Sequence, residues 1–294
     1  MAAAARLSLP RSRKRYEALA GEWRREFPEP SLSTPRSQLA THAQIWSPEY
    51  DRWRKDLKVR DIRHRKYWEY AFIMEALERR GMFAPGKRAL GFGVGKEPIA
   101  SYLATRGCEV LATDLTVERA ASEGWRATNE FASTFEELNS FQVCDPETFR
   151  KQVRFQSVDM NAIPDDLRDF DFTWSSCAFE HLGSITRGLA FVENTLKTLR
   201  PGGVAVHTTE FNLSSLDDTV DNDSTVLFRR RDIEELASRL AKRGHRVEPL
   251  NFNPGGGELD AHIDLPPYGD HNHIKLLIER YVTTSIGIII TAAG

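Results

Sequence analysis

Three short stretches gather side chains that could move a proton or hold an ion. "CAFEHLG" carries Glu180 and His181, "VHTTEFN" carries His207, Glu210 and Asn212, and "GELDAHIDLPPYGDHNHIKL" carries Asp260, His262, Asp264, His271 and His273. Imidazoles and carboxylates can take a proton from a hydroxyl as it reacts, and they also ligate divalent ions. None of these stretches has the compact spacing of a known metal motif, so no metal is expected. His181 and His207 are the candidates for proton transfer, with Glu210 expected to line the site and orient the imidazole or bind a neighbouring hydroxyl of the acceptor. Both histidines have plainer alternatives: His181 as a structural cap, and His207, inside a buried strand pattern, as a donor to a backbone carbonyl. A carboxylate at a buried strand end, as at Glu210, is seldom idle.

A fourth stretch, "RALGFGVGKEPIASYLATRGCEVLATD" from Arg88 to Asp114, sets glycines between a short apolar run and a helical pattern. A phosphate loop would need Gly-x-x-x-x-Gly-Lys-Ser/Thr. Here Leu90 stands where the first glycine should be and Glu97 follows Gly95-Lys96, so that reading fails. A dinucleotide fingerprint needs Gly-x-Gly-x-x-Gly before a helix that faces a pyrophosphate. Gly91 and Gly93 fit it, but the third position is Lys96 and Glu97 opens the helix. A carboxylate there repels a pyrophosphate and suits a cationic ligand.

The order Gly91-x-Gly93-x-Gly95, with Asp114 ending the next strand, resembles the first two motifs of class I S-adenosylmethionine-dependent methyltransferases. "SVDMNAIP" is similar to that family's third strand, "DFTWSSCAFEHLG" to its fourth, and "LRPGGVAVHTTE" to the turn into its fifth, so the match covers residues 85 to 294. The resemblance implies S-adenosyl-L-methionine as cofactor. It implies that the glycines and Glu97 border the methionine moiety and that Asp114 binds the ribose hydroxyls. Asp159 would then receive the adenine amino group and Met160 would pack on the ring, with Leu115 and Ser175 completing the set. The implied activity is methyl transfer. The tract from "WSSCAFEHLG" through "LFRRRDIEEL" looks like bacterial methyltransferases associated with cell-surface glycan synthesis, which implies O-methylation of a sugar, glycan or other small hydroxylated acceptor. A non-catalytic cofactor-binding regulator or subunit and an NAD(P)-dependent oxidoreductase are the alternatives.

The elements that must position these groups can be read in outline. Short apolar runs alternate with helical patterns after Pro85, which implies an α/β, Rossmann-like, mostly parallel doubly wound sheet. The family resemblance sets its strand number at about seven, with "HRVEPLN" as one of them and residues 116–150 mostly helical or irregular. From Tyr50 to Arg80 apolar residues recur at helical spacing, and Gly81 stops the run. With its several aromatics, 47–84 is expected to form a helical lid over the cofactor. Residues 1–46, rich in Pro, Ser and Arg, are expected to be a mobile basic arm with one helix near Tyr16–Phe27.

Composition excludes several classes. The net charge of −2 over 294 residues gives no overall basic character, and no Asn-Pro-Pro-Tyr motif follows the fourth strand, so nucleic acid is not an expected partner. The longest apolar run, "SIGIIITAA", is too short to span a bilayer. Cys108, Cys144 and Cys177 are widely separated and supply no disulfide framework, which fits a reduced, cytoplasmic compartment.

Overall fold

The computed structural model describes residues 2–115, 132, 134–269 and 271–294. Residues 116–131 and 133, about half of the stretch expected to be helical or irregular after Asp114, therefore lie outside the described residues.

The chain opens with α1 (Ala2–Glu26), β1 (Ser37–Leu39), α2 (His42–Ile45), α3 (Pro48–Asp56) and α4 (Arg65–Glu78). Alternation then begins: β2 (Arg88–Phe92), α5 (Ile99–Thr105), β3 (Glu109–Asp114), α6 (Pro146–Gln152), β4 (Val153–Ser157), β5 (Phe170–Ser176), α7 (Ile185–Thr195) and β6 (Leu199–Asn212). It closes with α8 (Arg230–Lys242), β7 (Arg246–Val247), β8 (Leu250–Asn251), α9 (Glu258–Ala261), β9 (Leu276–Ile278) and β10 (Tyr281–Thr291).

The long strands lie in the order β4-β3-β2-β5-β6-β10. All neighbours are parallel except β10, which runs antiparallel to β6. The order reverses between β2 and β5, and in such sheets ligands bind beyond the strand ends at that switch point. The expected doubly wound α/β class holds. Among the described residues the sheet has ten strands, roughly the expected number with a composite far edge: β9, β1 and β7 pair in turn along one side of β10, and β8 pairs with β1. "HRVEPLN" accordingly forms two short pieces, β7 and β8.

Period-2 alternation decides which helices cover which face. Phe172, Trp174, Val204, Val206 and Ile289 join one core with α4 and α5. Leu90, Phe92, Ala205, Ile288 and Ile290 join the other with α7 and α8.

One expectation for the N-terminal region needs correction. Residues from Ser8 to Trp46 are not a mobile arm. Trp23 is buried against Phe211 and Phe252, the Tyr16 hydroxyl donates to the Asp260 carbonyl at 2.7 Å, and β1 is a strand of the sheet. Within the segment expected to form a lid, every residue of α4 from Trp68 to Leu77 is buried and the helix packs on β5, β6 and β10. The His64 imidazole starts it by accepting from the Lys66 amide at 3.0 Å.

Candidate functional site

A cavity of about 850 Å³ opens beyond the ends of β2, β3, β5 and β6, at the switch point. One end is walled by the glycine loop, Asp114 and the 159–161 turn, the other by the start of α4 and the segments after β5 and β6.

The glycine loop is tight because its neighbours leave no room for side chains. A Cβ on Gly91 would sit 2.4 Å from the Trp174 ring. Gly93 has a φ of 58°, in the left-handed region, and a Cβ there would meet the Ala178 Cβ at 2.8 Å. Thr113 stitches the loop down, its hydroxyl donating to the Gly91 carbonyl at 2.7 Å. The Asp114 carboxylate accepts from the amides of Gly95 (2.9 Å) and Leu115 (2.8 Å), which fixes its orientation at the cavity wall. Burial raises its pKa, against those two amide bonds. Asp159 lines the cavity while its carboxylate caps the Asn161 amide at 2.8 Å, and Met160 lies nearby against the Gly93 side of the loop.

Glu97 is 6% exposed and accepts from the Trp174 indole N–H. Desolvation pushes its pKa to about 8, against the pull of that bond and of Lys66. Burial therefore favours the neutral form of the carboxyl expected to face a cation.

The opposite end holds a buried cluster of charges. Arg65 and Lys66, on the first turn of α4, face Glu69 one turn later at 3.5 and 3.4 Å, and Arg65 also pairs with Glu210. Glu69 further accepts from the hydroxyls of Ser176 (3.2 Å) and Ser285 (2.5 Å). Burial works to raise its pKa, but the two cations hold it below the ordinary value. Glu210 is pushed up to about 7 by burial, against Arg65 and with the charge of Glu180. Glu180, which accepts from the Thr209 hydroxyl at 3.0 Å, also reaches about 7, again chiefly through burial. Burial likewise drives the Cys177 thiol well above its usual range. Cys177 turns the chain out of β5 at a φ of 45°, its amide held by the Thr208 carbonyl at 3.0 Å.

Of the residues singled out in the sequence, Gly93, Gly95, Glu97, Asp114, Leu115, Asp159, Met160, His181 and Glu210 line this cavity. Gly91 supports the loop from below. Ser175 and His207 are corrections. Both are 0% exposed, and they meet each other on the far face of the sheet, Ser175 Oγ to His207 Nδ1 at 2.8 Å. His207 Nε2 meets the Thr195 hydroxyl at 3.2 Å, and Phe179 and Phe191 pack on the ring. Burial drops its pKa to about 3. Neither residue touches the cavity, which Ser176 lines instead. His181 stands at the rim, its Nδ1 at 2.8 Å from the Ser224 carbonyl. Asn212 and Asp260 serve the backbone: Asn212 ties its own turn, and Asp260 accepts from the amides of His42 and Gly257.

Sequence reasoning did not single out Arg65, Lys66, Glu69, Ser176 or Cys177 for the site. The signal for the first three was available, as opposite charges at i+3 and i+4 spacing at the start of α4.

No known protein-family model matches the chain, and no curated protein matches its sequence. Solved structures of similar shape include phosphoethanolamine N-methyltransferase 2 of Haemonchus contortus with phosphomonomethylethanolamine and S-adenosylhomocysteine. It is 21% identical at a TM-score of 0.40, over 60% of this chain and 38% of that one. An S-adenosylmethionine-dependent methyltransferase from Clostridium acetobutylicum is 13% identical at 0.45, over 80% and 94%. The glycopeptide N-methyltransferase MtfA is 13% identical at 0.44, over 74% and 94%.

Proposed function

We propose that this chain is an S-adenosylmethionine-dependent methyltransferase that methylates a hydroxyl of a small acceptor of the sugar or glycan class. The observation that carries the reading is Glu210. It lines the cavity with a pKa near 7, one carboxylate oxygen paired to Arg65 and the other, Oε2, buried without a hydrogen-bond partner. A base works best when its pKa lies near the operating pH, and a buried carboxylate oxygen left unpaired is available to a proton.

The other end of the cavity fits the cofactor. The cradle over Gly93 is one that a Cβ would fill, Asp114 offers a fixed carboxylate for a ribose, and Glu97 offers a carboxyl that a cation would ionise. When bound there, S-adenosylmethionine supplies an electrophilic methyl group on a sulfonium. The chain's own residues do the rest. Arg65 holds one Glu210 oxygen so that Oε2 can take the acceptor's proton. The cations of α4 keep Glu69 ionised, and Glu69 orders the hydroxyl of Ser176 at the cavity wall and that of Ser285 behind it. Alignment in a closed, structured pocket supplies much of the rate in such displacements.

The direct test is incubation with methyl-labelled cofactor and a panel of sugar nucleotides, glycans, small hydroxylated metabolites and amines. Label transfer to a hydroxyl supports the reading, whereas transfer only to amines removes the acceptor class. A thermal-shift comparison of S-adenosylhomocysteine with NAD and NADP tests the cofactor: stabilisation by either nicotinamide alone would replace the methyltransferase reading.

A further inference from the structure

We propose that His262, Asp264 and His271 form a binding site for a divalent transition-metal ion of the zinc class, with His273 beside it as a fourth donor. In sequence the donors are spread over twelve positions, and no motif announces them. The fold brings a donor atom from each of the first three within 4.8 Å of one another. Two imidazoles and a carboxylate are a donor set that first-row divalent ions favour. With bonds of ~2.0–2.2 Å, a tetrahedral ion holds its donor atoms roughly 3.4 Å apart. His271 Nε2 and His273 Nδ1 already lie 3.2 and 3.1 Å from Asp264 Oδ2.

A second observation points to a ligand independently of that proximity. Asp264 Oδ2 and His273 Nδ1 are both buried, and neither has a hydrogen-bond partner despite their closeness. His273 is 2% exposed. Buried polar atoms are seldom left unsatisfied, and a place for an ion is one of the standing reasons when they are. A cation against Asp264 Oδ2 satisfies the carboxylate and gives His273 Nδ1 a partner in one step.

The two inner donors are held by backbone. The Asp264 amide donates to the Lys275 carbonyl at 2.9 Å, and the Leu277 amide to the Asp264 carbonyl at 2.9 Å. The His273 amide donates to the Arg63 carbonyl at 2.9 Å, and the Arg65 amide to the His273 carbonyl at 3.0 Å. His262 and His271 are exposed, which leaves an entry path. None of the four donors lines the acceptor cavity, yet His273 is joined through backbone to Arg65, which does. An ion here would fasten the 262–273 segment to the start of α4.

The experiment uses the untagged full chain, stripped with a chelator and titrated with Zn²⁺ by calorimetry and with Co²⁺ by visible absorption. We expect one ion per chain, a rise in unfolding temperature, and a cobalt spectrum without a thiolate charge-transfer band. His262→Ala and His271→Ala should each weaken binding at least roughly tenfold. Because both side chains are exposed, the variants should unfold like the metal-free parent. Cys177→Ser and Glu210→Gln should bind as the parent does, which separates this site from the carboxylate cluster of the cavity. Failure to bind either ion at millimolar concentration, binding indifferent to both histidine variants, or a thiolate band would each overturn the proposal. Because the readout is binding, it stands or falls apart from the methyltransferase reading.

Discussion

Glu97→Gln is the substitution whose consequence follows most directly from the structure. The carboxyl is 6% exposed, and burial lifts its pKa from the ordinary 4.5 to about 8, although the Trp174 indole N–H and Lys66 both favour the ionised form. Between those two values the folded chain keeps a proton that the unfolded chain has lost. Unfolding then releases a proton, so stability falls as pH rises from about 4.5 to about 8 and levels off above. Each unit in that window costs about 1.4 kcal/mol, which places the burden at pH 7 on the order of 3 kcal/mol. Glutamine keeps an oxygen for the indole N–H but does not titrate. The gap in unfolding free energy between variant and parent should therefore widen in the variant's favour from pH 5 to pH 8. Urea denaturation across that range measures it. Parallel stability curves for the two proteins would show that Glu97 does not carry the proton, and the reasoning from burial would fail. Under the proposed function the same variant should lose affinity for the sulfonium cofactor more than for its neutral-sulfur product.

Asp114→Ala should weaken S-adenosylhomocysteine by about 1.5–3 kcal/mol for each ribose bond removed; an unchanged Kd by calorimetry in a folded variant would take Asp114 out of the site. Glu210→Gln should lower turnover roughly 10²–10⁴-fold with little change in cofactor affinity. The parent's rate should fall as pH drops below about 7, where Glu210 gains a proton, and that limb should vanish in the variant. His207→Ala should destabilise the chain by about 1–3 kcal/mol, since Ser175 and Thr195 lose their partner, yet leave turnover per folded molecule near the parent's. Loss of turnover in fully folded His207→Ala would restore that imidazole to the reaction. Gly91→Ala should cost about 1–3 kcal/mol by driving a Cβ into the Trp174 ring.

The glycine loop and Asp114 were legible in sequence because their geometry is local: a strand, a tight turn that excludes side chains, and an acid at the next strand's end. The N-terminal region was misread because its Pro, Ser and Arg content hides what docks it. Tyr16 and Trp23, seven apart on one face of α1, are the anchors, and that spacing was the usable signal. The wall formed by α4 was visible as a helix but not as a source of site residues, since its contact with β6 joins positions far apart in the chain. The 262–273 cluster was out of reach for the same reason, because β9 and the His64–His273 bridge bring its donors together.

The choice of base turns on strand parity. Successive side chains of a strand point to opposite faces, so residues three apart, such as His207 and Glu210, cannot share a face in regular β structure. Val204 and Val206 belong to the face covered by α4, and Ala205 to the face covered by α7. His207 therefore goes with Ala205 into the packing of Phe179 and Phe191, and Glu210 goes with Val206 towards Arg65. The parallel register extends the rule across the sheet. Ser175 lies opposite His207 and shares its far face, whereas Ser176, opposite Thr208, reaches the cavity. An imidazole and a carboxylate from β6 could serve one acceptor only if a bulge reset the alternation between them. Continuous one-to-one pairing of β6 with β10 from Val204 to Asn212 shows that none does. Of the groups on β5 and β6, Ser176 and Glu210 line the cavity, so under the proposed function the proton acceptor that β6 offers is Glu210.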